Sequence, residues 1–291
     1  MRPGPTKMPA STKDIRPIIA AIEPLRGARI VRELGGGPAS DSWLLEVSGR
    51  QFVLRIDQPA AHSLGLDRQA EIEVLMAVSA AGIGPEPVWA DCAKGILVYT
   101  YIEGETWSRQ DAGNPALLRE LAVTLRTLHG LPALGRRFEP AVAARRYASD
   151  IGTAAARRMS ERAGKLAASL LADSGRPALC HNDLVHSNII HHGPVYLIDW
   201  EYAAVGDPFF DLAVVVQHHQ LSSTVTEVFL QAYFGTVRTV QLEKLEAYCS
   251  LYDYLAGLWY LSMAGESAPA SPIRLEMNRV MARLAESGLA E

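Results

Sequence analysis

Cysteine is scarce in this sequence: three residues in 291, Cys92, Cys180 and Cys249, far apart and in apolar surroundings. Their spacing offers neither a disulfide framework nor a Cys-x-x-Cys metal clasp, which points to free thiols in a reducing, cytoplasmic setting. Long apolar runs are missing as well. No stretch approaches the roughly 18 residues of a membrane-spanning helix, so no membrane partner is expected. A basic excess is also lacking, with 28 Lys and Arg against 32 Asp and Glu and a formal net charge of −4. That balance argues against a nucleic-acid partner, because a polyanion surface needs net positive charge. Met1 to Ser11 holds Pro3, Pro5 and Pro9 and no apolar core, so residues 1–14 are expected to be a disordered lead-in and not a signal peptide. No internal repeat is found.

What is present is an ordinary globular composition, 48% hydrophobic and 21% charged, in a chain long enough for two lobes and a substantial core. The most informative stretch runs from Leu179 to Ile190. In it Asp183 follows His181 by two residues and precedes Asn188 by five. Ile189-Ile190 and Val195-Tyr196-Leu197-Ile198 then read as two short strands around His192-Gly193-Pro194, and the second delivers Asp199. Phosphoryl transfer to an alcohol asks for this set. One carboxylate sits near the attacking hydroxyl, and an amide oxygen with a second carboxylate holds Mg²⁺. The step from Asp to Asn is that of the protein-kinase catalytic loop. Asp183 is therefore the candidate base, and Asn188 and Asp199 are the candidate metal ligands.

His181-Asn182-Asp183-Leu184, Ile198-Asp199-Trp200-Glu201-Tyr202-Ala203, Gly206-Asp207-Pro208 and Asp211 closely resemble the choline, ethanolamine and thiamine kinases. These belong to the aminoglycoside-phosphotransferase-like kinases, and the bacterial choline-kinase-like branch is the nearest in pattern. The resemblance covers nearly the whole chain from about residue 28. It implies a two-lobed, protein-kinase-like α+β fold. A small antiparallel-sheet lobe over residues 15–102 would bind nucleotide phosphates, and a larger, mainly helical lobe over 103–291 would carry catalysis and the acceptor. It implies ATP and Mg²⁺ as cofactors, His181 as a brace of the catalytic loop, and Asp211 accepting backbone N–H bonds from that loop.

In the first lobe Arg29 to Leu34 reads as a strand, followed by Gly35-Gly36-Gly37 and, after Ser40, by strands at Trp43 to Val47 and Gln51 to Asp57. Gly49-Arg50 is expected to join the last two as a hairpin. Bare backbone N–H groups in the glycine turn could approach a phosphate, as could Ser40. Alternation places Phe52, Leu54 and Ile56 on one face and Val53 and Arg55 on the other. Helical spacing from Ser63 to Ala81 puts Glu71 on the inward face with Leu75 and Val78. The resemblance pairs Glu71 with Arg55, which stands where protein kinases carry a lysine and can grip phosphate oxygens. It also runs Leu97 to Ile102, with Tyr99 and Tyr101, into a hinge that meets adenine, with Glu103-Gly104-Glu105 as linker.

Beyond the linker the chain reads as helical. Asn114-Pro115 starts a helix with a leucine stripe, Leu118, Leu121, Leu125 and Leu128. His129 is expected to pack or cap at its end. Phe138 to Ala172 should form one or two helices bordering the cleft, its arginines being a solvated face. Helices are also expected at Phe209 to His219, Thr224 to Phe234 and Val240 to Ala264, with a last one from Pro269 to the C-terminus. His218-His219 lacks a third ligand and is taken as surface or core polar, not metal. A cation needs a carboxylate or an aromatic face to offset lost hydration, which nominates Trp200, Glu201, Tyr252 and Trp259 as acceptor contacts.

The expected activity is ATP- and Mg²⁺-dependent phosphorylation of the primary alcohol of a small cationic metabolite. Choline or ethanolamine comes first and thiamine next. An aminoglycoside phosphotransferase would share the machinery, but Trp200-Glu201-Tyr202 and Arg55 speak against it. A non-catalytic, nucleotide-binding pseudokinase has no physical need of Asp183, Asn188 and Asp199 together.

Overall fold

The computed structural model describes residues 14–37, 39–62, 65–172, 175–264 and 272–286. Apart from Asp14, the expected lead-in therefore lies outside the described residues. Two compact units divide the chain, Met1–Gly104 and Glu105–Glu291.

The first unit contains α1 (Arg16–Ala21), β1 (Arg29–Gly36), β2 (Ser40–Val47), β3 (Arg50–Asp57), α2 (Arg68–Ala80), β4 (Pro87–Asp91) and β5 (Ile96–Thr100). Its strands form one antiparallel sheet in the order β1-β2-β3-β5-β4. Phe52, Leu54 and Ile56 pack with Trp43, Leu45 and Val98 beneath Ile15, Ile19 and Ile22 of the α1 segment. Period-two alternation then sends Arg55 to the opposite face. The β2–β3 hairpin differs from the sequence expectation by one residue. Val47 pairs with Arg50, and the turn is Ser48-Gly49, with φ of +53° and +76°. Two left-handed residues match the twist of the strands they join, which frees Arg50 to pair. Helix α2 begins later than residue 63 because Asp67 caps it, its side chain accepting the N–H of Ala70 at 3.0 Å.

In the second unit, β6 (Glu105–Thr106) precedes α3 (Pro115–Gly130), α4 (Pro140–Ile151) and α5 (Ala154–Ala172). Four short strands follow: β7 (Ala178–Cys180), β8 (Ile189–His191), β9 (Val195–Leu197) and β10 (Ala204–Gly206). The chain closes with α6 (Phe209–His218), α7 (Ser223–Phe234), α8 (Thr239–Ala264) and α9 (Pro272–Glu286). Asn114 caps α3 through the N–H of Ala116, and the four leucines of its stripe are fully buried. Gly152, at φ +74°, ends α4, so the alanine-rich stretch is two helices. Strand β10 pairs with β7, and β8 lies between β6 and β9. The loop joining β7 to β8 and the loop joining β9 to β10 therefore leave the same small sheets, and these loops carry the candidate residues. Among the described residues no helix is long and apolar enough to cross a membrane.

Candidate active site

His181 sits at the root of the β7–β8 loop, fully buried, with both ring nitrogens engaged. Its Nδ1 accepts the N–H of Asp183 at 3.3 Å, and its Nε2 donates to the carbonyl of Ile198 at 3.0 Å. One neutral imidazole thus ties the turn bearing Asp183 to the residue before Asp199. Burial lowers its pKa, working against Asp211 and the Ile198 carbonyl, so the neutral form these bonds require is the stable one. Asn182 and Asp199 have φ of +66° and +63°. Such left-handed positions cost a non-glycine residue on the order of 1 kcal/mol and persist only where the surroundings fix them. For Asn182 the fixing contact is its Nδ2 bond to the Tyr202 carbonyl at 3.0 Å.

Asp211, in the first turn of α6, is fully buried and supplies the other anchor. Its two carboxylate oxygens accept the N–H of His181 at 2.8 Å and of Asn182 at 2.7 Å. His129 joins them, which a packing or capping role for it does not foresee. Its Nε2 donates to Asp211 at 3.0 Å while Nδ1 accepts from the Tyr233 hydroxyl at 2.7 Å. His129, Cys180 and Asp211 lie close enough to suggest a metal cluster. However, both His129 nitrogens are spent, and burial holds the Cys180 thiol well above its ordinary pKa, so the group is a brace. A second brace comes from the end of α6. His219 donates to the carbonyl of Leu184 at 3.0 Å, and His218 shares a 2.9 Å hydrogen bond with His186. The His218-His219 pair is thus buried and holds the catalytic loop.

Asn188 points its amide nitrogen at Asp183, donating to the main-chain carbonyl and to the carboxylate, each at 2.9 Å. Its Oδ1, approached by the Ser187 hydroxyl at 3.3 Å, is left as the end able to ligate a cation. Asp199 offers an exposed carboxylate beyond the strained turn. An amide oxygen and a carboxylate are hard donors of the kind Mg²⁺ takes, so these residues fit the ion. Asp183 itself is half-buried. Burial first, then the carboxylate of Glu201, pushes its pKa up to about 7, against the pull of the Asn188 hydrogen bond.

A cleft of about 830 Å³ opens beside Asp183 within the second unit. Tyr252 and Trp259 line it, together with Tyr202 of the quoted motif and with Tyr147, which sequence reasoning passed over. The Trp259 indole N–H bonds the Tyr202 hydroxyl, and the charge of Asp183 acts on the hydroxyls of Tyr147, Tyr202 and Tyr252. Trp200 requires correction as an acceptor contact. It is 1% exposed, packs on the His181 ring at 4.5 Å, and donates its N–H to the Leu197 carbonyl at 3.1 Å. Its job is to hold His181. Glu201 is half-buried and is not part of the cleft lining, and it acts on Asp183 through its charge. Among the arginines expected on a solvated face between Phe138 and Ala172, Arg146 requires correction, because it lines the cleft, as do Arg136 and Arg137 just before that stretch. Val142, Ala143 and Arg146 recur at helical spacing on one face of α4, the signal that could have placed Arg146 there.

Within the first unit, Arg55 and Glu71 form a bidentate ion pair, both N–O distances 2.6 Å and both residues 4% exposed. Burial would raise the Glu71 carboxyl, but Arg55 and then Arg68 hold it below its ordinary range. Arg68 was not foreseen. It bonds Glu71 at 2.9 Å and grips Asp57 at 2.6 and 2.9 Å. In the glycine turn Gly35 has φ +105°, and a Cβ on Gly36 would lie 2.6 Å from Asp41 Oδ1, so the hairpin itself demands both. The Gly37 N–H is not bare, since it donates to the Ser40 carbonyl at 3.0 Å. Tyr99 pairs with Val53 across the sheet, and the Tyr101 N–H donates to Gln51.

Residues 30–272 match the phosphotransferase enzyme family. The chain belongs to that family. It is 28% identical over 207 residues to Protein LicA of Haemophilus influenzae, a match covering 68% of this chain and 61% of that protein. Against human ethanolamine kinase 1 the identity is 27% over 216 residues, 66% of this chain and 46% of that one. The chain thus spans between about half and three fifths of these relatives' lengths. A choline/ethanolamine kinase family protein of Mesorhizobium loti has a similar solved structure, with TM-score 0.76 and 26% identity over 93% of this chain and 92% of that one. The kinase-like α+β fold, an antiparallel-sheet unit followed by a mainly helical one, is common to this group.

Proposed function

We propose that this phosphotransferase family member moves the γ-phosphoryl group of ATP to the primary hydroxyl of a small cationic alcohol, choline or ethanolamine before thiamine. The observation that carries the reading is the position of Asp183. It is hydrogen-bonded to the metal-ligand candidate Asn188 and also belongs to the lining of an aromatic cleft. In this reading the cleft seats the ammonium group against Tyr252 and Trp259, each such contact contributing about 0.5–2 kcal/mol. Asp183 receives the hydroxyl proton as the acceptor oxygen bonds phosphorus and the bond to ADP breaks, which balances the transfer. Asn188 and Asp199 hold Mg²⁺. When bound, the ion supplies positive charge against the phosphate oxygens and favours the ionised form of Asp183. His181, Trp200, His129 and Asp211 keep the two loops in register. Arg55, Glu71, Gly35 to Gly37 and Ser40 are assigned to the nucleotide phosphates, and the segment with Tyr99 and Tyr101 to the adenine.

The test is ADP release from ATP, with and without Mg²⁺, across choline, ethanolamine, thiamine and an aminoglycoside. The reading expects Mg²⁺-dependent release that rises several-fold above background with choline or ethanolamine. Release indifferent to every alcohol would remove it.

A further inference from the structure

Five arginines line the acceptor cleft against three carboxylates, in a chain whose net charge is −4. One of the carboxylates, Glu276, takes up two of the arginines, pairing with both Arg109 and Arg279. Arg137 and Arg146 have no carboxylate partner among the described residues. Arg146 is half-buried, with its guanidinium over the ring of Tyr147 at 5.0 Å from the centroid. A guanidinium taken partly out of water, on a planar support that fixes its fork, is set to bind a planar or tetrahedral oxyanion in two-point fashion.

In the kinase reading these arginines are distinct from the residues assigned to the donor nucleotide and its metal ion. The lining of the cleft includes Asp183 but neither Asn188 nor Asp199, so its arginines stand on the acceptor side of the catalytic carboxylate. They are also near it, because Arg146, Arg136 and Asp183 all act electrostatically on the Tyr147 hydroxyl. Size points the same way. About 830 Å³ is within the range of pockets that enclose drug-sized ligands, and choline or ethanolamine would leave most of it empty.

We propose that the acceptor carries an anionic group, a carboxylate or a phosphate ester, besides its hydroxyl and ammonium, and that Arg137 and Arg146 receive that group. This rests on the kinase reading and moves its preferred acceptor from a simple cation to a zwitterionic alcohol. The ammonium lies against the aromatic wall, the hydroxyl reaches Asp183, and the oxyanion meets Arg137 and Arg146. The transfer chemistry is unchanged, with the anionic group as a bystander that orients the acceptor.

The experiment measures kcat/KM with Mg²⁺-ATP for choline and ethanolamine, for L-serine and L-homoserine as carboxylate-bearing probes, and for sn-glycero-3-phosphocholine as the phosphodiester probe. At least one zwitterion should exceed choline by about tenfold or more, the factor a charge-assisted bond is worth. The probe that does so tells carboxylate from phosphate ester. Arg137→Ala and Arg146→Ala should each lower the ratio of zwitterion to choline kcat/KM about fivefold or more, and Arg146→Lys should restore part of it. Turnover of choline above every zwitterion would overturn the proposal and leave the kinase reading standing. So would arginine variants that weaken both acceptor types equally. Turnover of no alcohol at all would overturn the kinase reading and this proposal with it.

Discussion

Between His181 and Asn188, each side chain with a chemical role is fixed by a hydrogen bond within the loop or to the backbone of an adjoining one. The cleft beside that loop is walled by side chains contributed from residue 109 to residue 279, far apart along the chain. The two regions share Asp183 and differ in what sets them. The loop is specified by short-range geometry, where a one-atom change in a donor or acceptor is felt at once. The cleft is specified by which faces the helices turn toward one another, so its residues can vary in kind while the space persists. Changes to the loop should therefore act on kcat and on stability, and changes to the cleft on acceptor KM.

The sharpest way to break that contrast is Asp183→Asn. The amide cannot take up the hydroxyl proton, so kcat should fall about 10²- to 10⁴-fold while nucleotide affinity stays within a few-fold. Steady-state rates and nucleotide titration in the same preparation check it. More than half of wild-type turnover would refute the assignment. Next in size is Asp211→Asn, which removes a buried charge holding two backbone N–H groups and His129. Unfolding free energy in urea should drop by about 2–4 kcal/mol, with kcat falling as well, because a buried network loses an acceptor and its charge. An unchanged midpoint and kcat would show that the brace is idle.

Trp259→Ala probes the other region. KM for a cationic acceptor should rise roughly 2- to 30-fold, converting the worth of an aromatic contact at tenfold per 1.4 kcal/mol, with nucleotide affinity unchanged. Equal losses for both ligands would make Trp259 core, not cleft.

The smallest effect is one of pH. Burial depresses His218 to about 2 and His219 to about 4, from 6.5. The unfolded chain therefore takes up protons below pH 6.5 that the native loop refuses. Their contribution is whole above that pH and is lost as pH falls through it. Each should cost about 1 kcal/mol between pH 7 and 5.5. Urea unfolding at both pH values should show a steeper loss for wild type than for His218→Gln/His219→Gln. Parallel losses would mean the pair is not buried neutral in solution.

The same contrast explains what could be read from the sequence. Asp183, Asn188 and Asp199 lie close along the chain, in loops whose spacing is dictated by the chemistry; periodicity put Glu71 on the inward face of its helix, while its pairing with Arg55 and the role of Asp211 came from the family resemblance. Trp200 misled because it adjoins Asp199. After a left-handed residue the chain turns, and the indole goes inward onto His181. His129 reaches Asp211 across 82 residues, a distance along the chain that no local pattern encodes. Arg146 looked like part of a solvated face, as Arg145 is, because a helix with a water-facing and a cleft-facing side reads alike until its neighbours are known. The start of α2 slipped because the Asp67 cap decides it, while apolar spacing runs on past it.

The most direct test of phosphoryl transfer at Asp183 is ³¹P NMR of the intact protein with Mg²⁺-ATP and an ammonium alcohol. Wild type should convert ATP to ADP with an equal amount of a new phosphate monoester. The Asp183→Asn protein, folded and binding nucleotide, should form almost none over the same interval. Free inorganic phosphate in place of the monoester, or a monoester made as fast by the variant, would contradict the assignment.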